Sequence, residues 1–140
     1  MSGYFIGLDL GRERVGVSIS DPTCLIAQPY RVIKNKAGAI LAGEISSLLE
    51  GRELRGLVVG LPLNTDGSAG KAAIEAEKKA REIASALGVP LYMEDERYTT
   101  MEAEEILQEG GLNWKRRKGK KDKVAAALIL QSFLDRKGWV

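Results

Sequence analysis

The sequence predicts an α/β protein with a mixed β-sheet, and three observations lead to this fold class. An apolar run over Tyr4–Leu10 is followed, after a short polar turn, by a second strand-like segment, which predicts an antiparallel hairpin. A continuous apolar run over residues 56–63 is typical of a buried parallel strand. A helical pattern and another strand follow it, which implies a crossover between parallel strands.

The hairpin consists of strands predicted over residues 4–10 and 15–20, and it ends at the turn Asp21-Pro22. Residues 28–34 predict a third strand, with Pro29 near its start, where a missing N–H is tolerated. Residues 37–50 predict a helix because apolar side chains recur on one helical face at Leu41, Ile45, Leu48 and Leu49.

The second half of the chain continues the alternation of helices and strands. A helical stripe ends at Leu87, with Gly88 as its C-cap, and residues 89–93 return as a strand. Thr99 and Glu102 have capping-box spacing and predict a short helix that ends at Gly110-Gly111. We expect a basic loop over residues 114–123 and a last helix from about residue 122 to 137. The 140 residues favour one domain, 1–140.

Composition excludes several kinds of chemistry. The chain has no histidine and one cysteine, Cys24, so histidine general bases, intramolecular disulfides and Cys/His zinc sites are excluded. No segment has a signal-peptide pattern or the roughly 18 apolar residues of a membrane span. We therefore expect a soluble, cytoplasmic protein with no membrane partner, whose chemistry depends on carboxylates, lysines, tyrosines and hydroxyls.

Three acidic positions are candidates for that chemistry. Asp9 interrupts an apolar strand, where a carboxylate is costly unless it is paired or binds a cation, although it would also be tolerated at an exposed strand end. Glu94-Asp95-Glu96 follows a predicted strand, as a ligand site or as a solvated loop. Asp122 precedes the last helix, either as its N-cap or as a metal ligand. Converging carboxylates would bind Mg²⁺ or Mn²⁺ and support phosphodiester hydrolysis.

Basic residues near these acids favour an anionic partner. The segment around Asp122 is dense in cations, which indicates phosphate binding, although a solvated loop is the plainer interpretation; its members are Lys115, Arg116, Arg117, Lys118, Lys120 and Lys121. Trp114 beside it would either stack on a base or pack the loop down. The loop 64–71 lacks two residues of an ATP-binding Walker motif, but its amides and Lys71 would suit a nucleic-acid phosphate.

Four motifs in order make the chain similar to a known family. They are Gly7-Leu8-Asp9-Leu10-Gly11 with Arg14-Val15-Gly16-Val17, Val59-Gly60-Leu61-Pro62-Leu63-Asn64 with Asp66-Gly67, Asp95-Glu96-Arg97-Tyr98-Thr99-Thr100, and Lys121-Asp122 with Ala126-Ala127-Leu128-Ile129-Leu130. Over essentially the whole chain this pattern closely resembles the YqgF family, also called RuvX. The resemblance implies an RNase H-like fold with a mixed five-stranded sheet flanked by helices. It also implies a nuclease, either a Holliday junction resolvase or an enzyme that matures the 5′ end of pre-16S ribosomal RNA.

The resemblance implies a role for each candidate residue. Asp9 and Asp122 correspond to metal ligands, and Glu96 is the predicted middle ligand, with Asp95 as its alternative. On the nuclease hypothesis, we also expect Arg14, Lys71, Arg97 and the basic segment to hold phosphates of pre-rRNA or branched DNA.

Two other functions compete with the nuclease. One is a non-catalytic ribosome-assembly factor, and the other is an actin-like or sugar-kinase-like ATPase, because Asp9-Leu10-Gly11 with Gly16 also resembles the phosphate-binding hairpin of that group. A resolvase that cuts symmetrically would be a homodimer, whereas an RNA-trimming enzyme need not be one, so the sequence leaves monomer and homodimer open.

Overall fold

The computed structural model describes residues 3–64, 66–95 and 118–136. Within these ranges the chain forms five strands and three helices. In chain order they are β1 (Tyr4–Leu10), β2 (Arg14–Ser20), β3 (Ala27–Lys34), α1 (Gly38–Leu48), β4 (Leu54–Leu61), α2 (Lys71–Leu87), β5 (Leu91–Asp95) and α3 (Lys118–Asp135). No helix in this part of the chain is long and apolar enough to cross a membrane.

The five strands form one mixed sheet in the order β3-β2-β1-β4-β5. β1 pairs antiparallel with β2, and β2 with β3, whereas β1–β4 and β4–β5 are parallel pairs. The predicted hairpin and parallel crossover are therefore confirmed. The carboxyl ends of β1, β4 and β5 lie at one edge of the sheet, together with the start of β2 and the end of β3; we call this the carboxyl edge.

Side chains alternate between two apolar layers on the two faces of the sheet. On one face, Ile6 and Leu8 of β1 pack with Leu41 of α1 and Ile83 of α2. On the other face, Phe5 packs with aliphatic and aromatic side chains of α3 and its neighbours, among them Val58, Leu130 and Phe133. We call these the α1/α2 face and the α3 face. By alternation, Gly7 and Asp9 of β1 share the α3 face with Phe5.

Helix α3 packs closely on the sheet because small residues lie beneath it. A Cβ added to Gly7 would be 2.7 Å from the Cβ of Leu130. The buried hydroxyl of Ser18 donates a 2.7 Å hydrogen bond to the carbonyl of Ala126. At Gly16, an added Cβ would collide with the carbonyl oxygen of Asp122. These contacts fix the height of the first half of α3 above β1 and β2.

The turn between β2 and β3 is organised by one carboxylate, that of Asp21. Its Oδ2 accepts hydrogen bonds from the hydroxyl and the amide of Thr23. Its Oδ1 accepts from the amides of Leu25 and Ile26, each at 2.8 Å. These donors, led by the Thr23 hydroxyl, stabilise the ionised form and hold the pKa of Asp21 well below its usual value.

Two predicted boundaries are wrong in ways that bear on the site. The described part of the predicted basic loop, residues 118–123, is helical, so α3 runs from Lys118 rather than from near Asp122, because lysines are good helix formers; residues 114–117 lie outside the described residues. β5 extends to Asp95, so Glu94 and Asp95 lie inside the strand, paired with Gly60 and Leu61, rather than in a loop after it. Gly88 is confirmed as the α2 C-cap, with φ of 69°. The predicted helix after Thr99 lies outside the described residues.

Candidate active site

Asp9 lies near the end of β1, at the carboxyl edge. It is half-buried, and its Cα partner on β2 is Gly16. Directly paired residues of an antiparallel pair project to the same face, so Asp9 and Gly16 both belong to the α3 face. Because Gly16 has no side chain, the space beside Asp9 is open to the first half of α3.

Asp122 fills that space from above. It is the fifth residue of α3 and therefore not the N-cap, so the capping interpretation of this residue is wrong. Its backbone lies directly against Gly16. The spacing from Asp122 to Ala126 and Leu130 is four residues each time, which keeps all three on the side of the helix that contacts the sheet. Asp9 and Asp122 are thus brought together from positions more than a hundred residues apart in the sequence.

The carboxylate of Asp122 has an ion-pair partner but lacks a hydrogen-bond donor on one oxygen. Arg14 Nε lies 3.1 Å from Asp122 Oδ2, with the two side chains 42% and 26% exposed. The pair is not aligned as a hydrogen bond, and Oδ2, which is shielded from solvent, accepts none from the described residues. A shielded carboxylate oxygen without a donor is a suitable ligand atom for a cation.

Glu94 and Asp95, the first two residues of the motif Glu94-Asp95-Glu96, lie on opposite faces of the sheet. Leu8 pairs with Val59, and the next residues along those strands are Asp9 and Gly60; Glu94 in turn pairs with Gly60. Glu94 therefore stands on the α3 face, about 10 Å from Asp9 across two strand spacings. By alternation Asp95 faces the α1/α2 side, and it is exposed. Glu96, the predicted ligand, lies outside the described residues.

Glu94 is a structural residue that sequence reasoning did not separate from its neighbours. Its side chain is 7% exposed. Ser132 Oγ donates a 2.8 Å hydrogen bond to Oε2, and Arg136 forms an ion pair with Oε1. These contacts attach the end of α3 to β5. The available signal was the two-residue period of a strand, because successive side chains project to opposite faces and Glu94 and Asp95 are therefore separated once the strand is extended to Asp95.

The described residues contain no cluster of three or more acidic or cysteine side chains that would hold a metal by itself. Two predicted ligands, Asp9 and Asp122, are close to each other, and the third position is outside this part of the chain. Their oxygens suit Mg²⁺ or Mn²⁺ rather than a softer metal.

Only some of the predicted phosphate-binding residues lie in the part of the chain that the structure describes. Arg14 lies at the carboxyl edge but pairs with Asp122. Lys71 is exposed at the start of α2. The backbones of Lys118, Lys120 and Lys121 form the first turns of α3, whereas Arg97, Trp114, Lys115, Arg116 and Arg117 lie outside the described residues.

Three backbone amides of the loop 64–71 are bonded within the loop, whereas the N-terminus of α2, which the sequence also predicts to receive a phosphate, has no side-chain cap from the described residues. The amide of Asn64 donates to Ser68 O, that of Gly67 to Asn64 O, and that of Ser68 to the Asp66 carboxylate. The Asn64 side-chain amide also donates to the Ser68 hydroxyl at 3.0 Å. These donors are occupied within the loop and are unavailable to a phosphate.

A cleft of about 350 Å³ opens near the carboxyl edge, on the α1/α2 side. Its walls come from the β1–β2 turn, the ends of β3 and β4, and one side of α2. Asn35 holds these parts together, because its side chain donates to the carbonyl of Gly11 and accepts from Lys79 Nζ at 2.7 Å. Sequence analysis did not find this cleft, which depends on segments distant in the chain.

The sheet order and the helix over β1 and β2 define an α/β protein of the RNase H-like class. A solved structure of RuvC from T. thermophilus, in complex with a Holliday junction substrate, has the same fold. It superposes with a TM-score of 0.56 at 17% identity, covering 95% of this chain and 96% of RuvC. At that identity the likeness extends to the fold alone.

The particular family follows from sequence comparison. A family model described as RuvX, Holliday junction resolvase, matches residues 3–136, and the chain belongs to this family. A relative from Anaeromyxobacter is 42% identical over 131 residues, covering 94% of this chain and 96% of its own. Another, from Pelotomaculum thermopropionicum, is 46% identical over 134 residues, covering 95% and 87%. Both are named as candidate pre-16S rRNA nucleases. The chain is therefore a nuclease, a phosphodiester hydrolase.

Proposed function

We propose that this chain cuts structured nucleic acid with Mg²⁺ or Mn²⁺ at the carboxyl edge, and that its main substrate is the 5′ end of pre-16S ribosomal RNA. The observation that carries the proposal is the contact of the Asp122 backbone with Gly16, the strand partner of Asp9, which makes two acidic residues from distant segments neighbours. The names of the relatives at 42% and 46% identity support the RNA substrate.

The residues at this point fit a divalent metal. The solvent-shielded Asp122 Oδ2 lacks a hydrogen-bond donor among the described residues, and the half-buried Asp9 shares its face. Asp9 and Asp122 would hold the metal together with Glu96. Asp95 is a poorer choice for the third ligand because it belongs to the opposite face of the sheet. When bound, divalent metal activates a water and stabilises the leaving oxygen of a phosphodiester.

The surrounding cations would bind and orient the strand. Arg14 is half-exposed beside Asp122, so its guanidinium can turn from the carboxylate to a phosphate without unfolding any element. Lys71 lies at the same edge. With Arg97 and the basic residues Lys115, Arg116, Arg117, Lys118, Lys120 and Lys121, these groups make binding depend on salt.

Two further parts of the proposal concern organisation. We propose one domain over residues 1–140, working in the cytoplasm, where bacteria process ribosomal RNA.

Holliday junction resolution is the second candidate function, favoured by the description of the family model. Symmetric cutting of a junction requires a homodimer, whereas RNA trimming is compatible with a monomer.

The decisive experiment compares cleavage of labelled pre-16S RNA and a four-way DNA junction by the intact protein and by Asp9→Asn. Each reaction is run with Mg²⁺, with Mn²⁺ and with EDTA. Glu53→Gln is the matched control, because it neutralises an exposed carboxylate at the opposite edge of the sheet. We expect metal-dependent cutting of the RNA by the intact protein and by Glu53→Gln, and none by Asp9→Asn.

Binding measurements complete this experiment. Fluorescence anisotropy should give similar RNA affinity for the intact protein and Asp9→Asn, and calorimetric titration with Mn²⁺ should give weaker metal binding for the variant. Cutting of the four-way junction but not of the RNA would contradict the RNA substrate and favour Holliday junction resolution. Binding of either substrate without cutting by any of the proteins would contradict a nuclease and favour an assembly factor.

A further inference from the structure

The cleft on the α1/α2 side is separate from the point where Asp9 and Asp122 meet. Leu10 lines it, and because Leu10 follows Asp9 in β1, the two side chains lie on opposite faces of the same strand end. Arg12, in the turn after β1, also lines it. At about 3.3 Å per residue, Arg12 is only about 10 Å along the chain from Asp9. A nucleic-acid strand crossing the carboxyl edge would reach both sites.

The size and lining of the cleft fit a single nucleotide. Its volume of about 350 Å³ is near the lower end of ligand pockets, about 300–1,000 Å³. Leu10, Pro62, Ala72 and Ala76 provide apolar surface against which the faces of a base would pack. A double helix is too wide for a space of this volume, so the base must be unpaired.

The polar lining supplies complementary charge. Arg12 is exposed, and its side chain has no partner within the described residues. A guanidinium in this position would bind a backbone phosphate through two parallel hydrogen bonds. Glu75 is also exposed at the cleft. Its carboxylate would accept hydrogen bonds from an exocyclic amino group or a ribose hydroxyl.

We propose that this cleft binds one unpaired nucleotide of the substrate strand, next to the phosphodiester held at Asp9 and Asp122. The inference rests on the proposed function, since it assumes that a nucleic acid crosses the carboxyl edge. It adds a preference in the substrate: structured RNA with a single-stranded extension beside the cut should bind better than a fully paired duplex.

The test measures binding in EDTA, so that its result does not depend on cutting. The probes are a short blunt RNA duplex and the same duplex with a short unpaired extension. Ala72→Trp fills the cleft from an exposed position on α2, and Ser85→Trp places the same side chain at an exposed position near the other end of that helix. We expect Ala72→Trp to weaken binding of the extended duplex about tenfold, or about 1.4 kcal/mol, and to leave the blunt duplex unchanged. Ser85→Trp should change neither affinity.

Two additional measurements locate the nucleotide. Arg12→Ala should also weaken the extended duplex more than the blunt one, whereas Arg31→Ala, an exposed control on β3, should not. A photoreactive base in the extension should cross-link to peptides from the β1–β2 turn or from α2. Circular dichroism establishes that each variant is folded before its binding is compared.

Three results would overturn the inference. They are equal affinity of the intact protein for the two duplexes, equal weakening of both by Ala72→Trp, and cross-links confined to other segments. Tight binding of free adenosine monophosphate without a preference for the extended duplex would also overturn it and assign the cleft to a free nucleotide. Failure of the proposed nuclease function is recognised separately, by the absence of metal-dependent cutting in the cleavage experiment.

Discussion

Replacing Gly16 by alanine tests whether the approach of α3 to the sheet sets the site. The added Cβ would collide with the carbonyl oxygen of Asp122 and lie only 3.0 Å from the amide nitrogen of Lys123. Both contacts are with helix backbone, so relief requires α3 to move. Overpacking of this kind costs about 1–3 kcal/mol, and the lower conformational entropy of an unfolded alanine returns about 0.5–1 kcal/mol. Because both contacts are with backbone, the cost should lie in the upper part of that range, about 2–3 kcal/mol, and we expect a net loss of about 1–2.5 kcal/mol in the free energy of unfolding.

The chain offers a matched control for this substitution. Gly43 is exposed in the interior of α1, and a Cβ added there meets nothing within 4 Å. Gly43→Ala should therefore raise the free energy of unfolding, by about 0.5–1 kcal/mol. Urea denaturation measures both changes. Metal-dependent cleavage should fall in Gly16→Ala beyond its loss of folded protein and remain unchanged in Gly43→Ala. A Gly16→Ala protein as stable and active as the original would refute the role of this contact.

Three other predictions follow from contacts at other places in the fold. Ser18→Ala removes the buried hydrogen bond to Ala126 and should cost about 1 kcal/mol in urea unfolding; no loss would show that the bond is not stabilising. Asp21→Asn should destabilise at pH 7. Because folding lowers the pKa of Asp21, its contribution is full above about pH 4, its unfolded pKa, and declines in more acid solution, so thermal melts of variant and original should converge there. Arg136→Ala leaves the buried Glu94 without its cation and should cost about 1–3 kcal/mol, partly recovered by Arg136→Lys.

The fold was predictable because its strands have simple patterns. Partial alternation over residues 15–20 and the apolar run over residues 56–63 predict the hairpin and a buried strand, and the structure contains both. The start of α3 was not predictable from charge. A run of lysines suggested a solvated loop, yet in the structure the segment continues a helix that the sheet stabilises through packing several residues later.

The identity of individual site residues was easier to predict from the sequence than their arrangement in space. Asp9 is recognisable because a carboxylate within an apolar strand requires a compensating partner. The closeness of Asp122 to Asp9 depends on Gly16, whose importance comes from the absence of a side chain and leaves no local pattern. The hydrogen bond from Ser132 and the ion pair with Arg136 that engage Glu94 also depend on tertiary packing. The roles of Asp9, Glu96 and Asp122 stay predictions that the cleavage experiment tests.

The four-residue spacing of Asp122, Ala126 and Leu130 also limits how this protein can change in length. Ala126 and Leu130 are held against the sheet by Ser18 and Gly7. One residue inserted between Asp122 and Ala126 would rotate the carboxylate by about 100° around the helix axis, away from Asp9, while the rest of α3 kept its place. The angular phase of this helix is therefore a constraint on insertions and deletions that acts independently of which side chains are present.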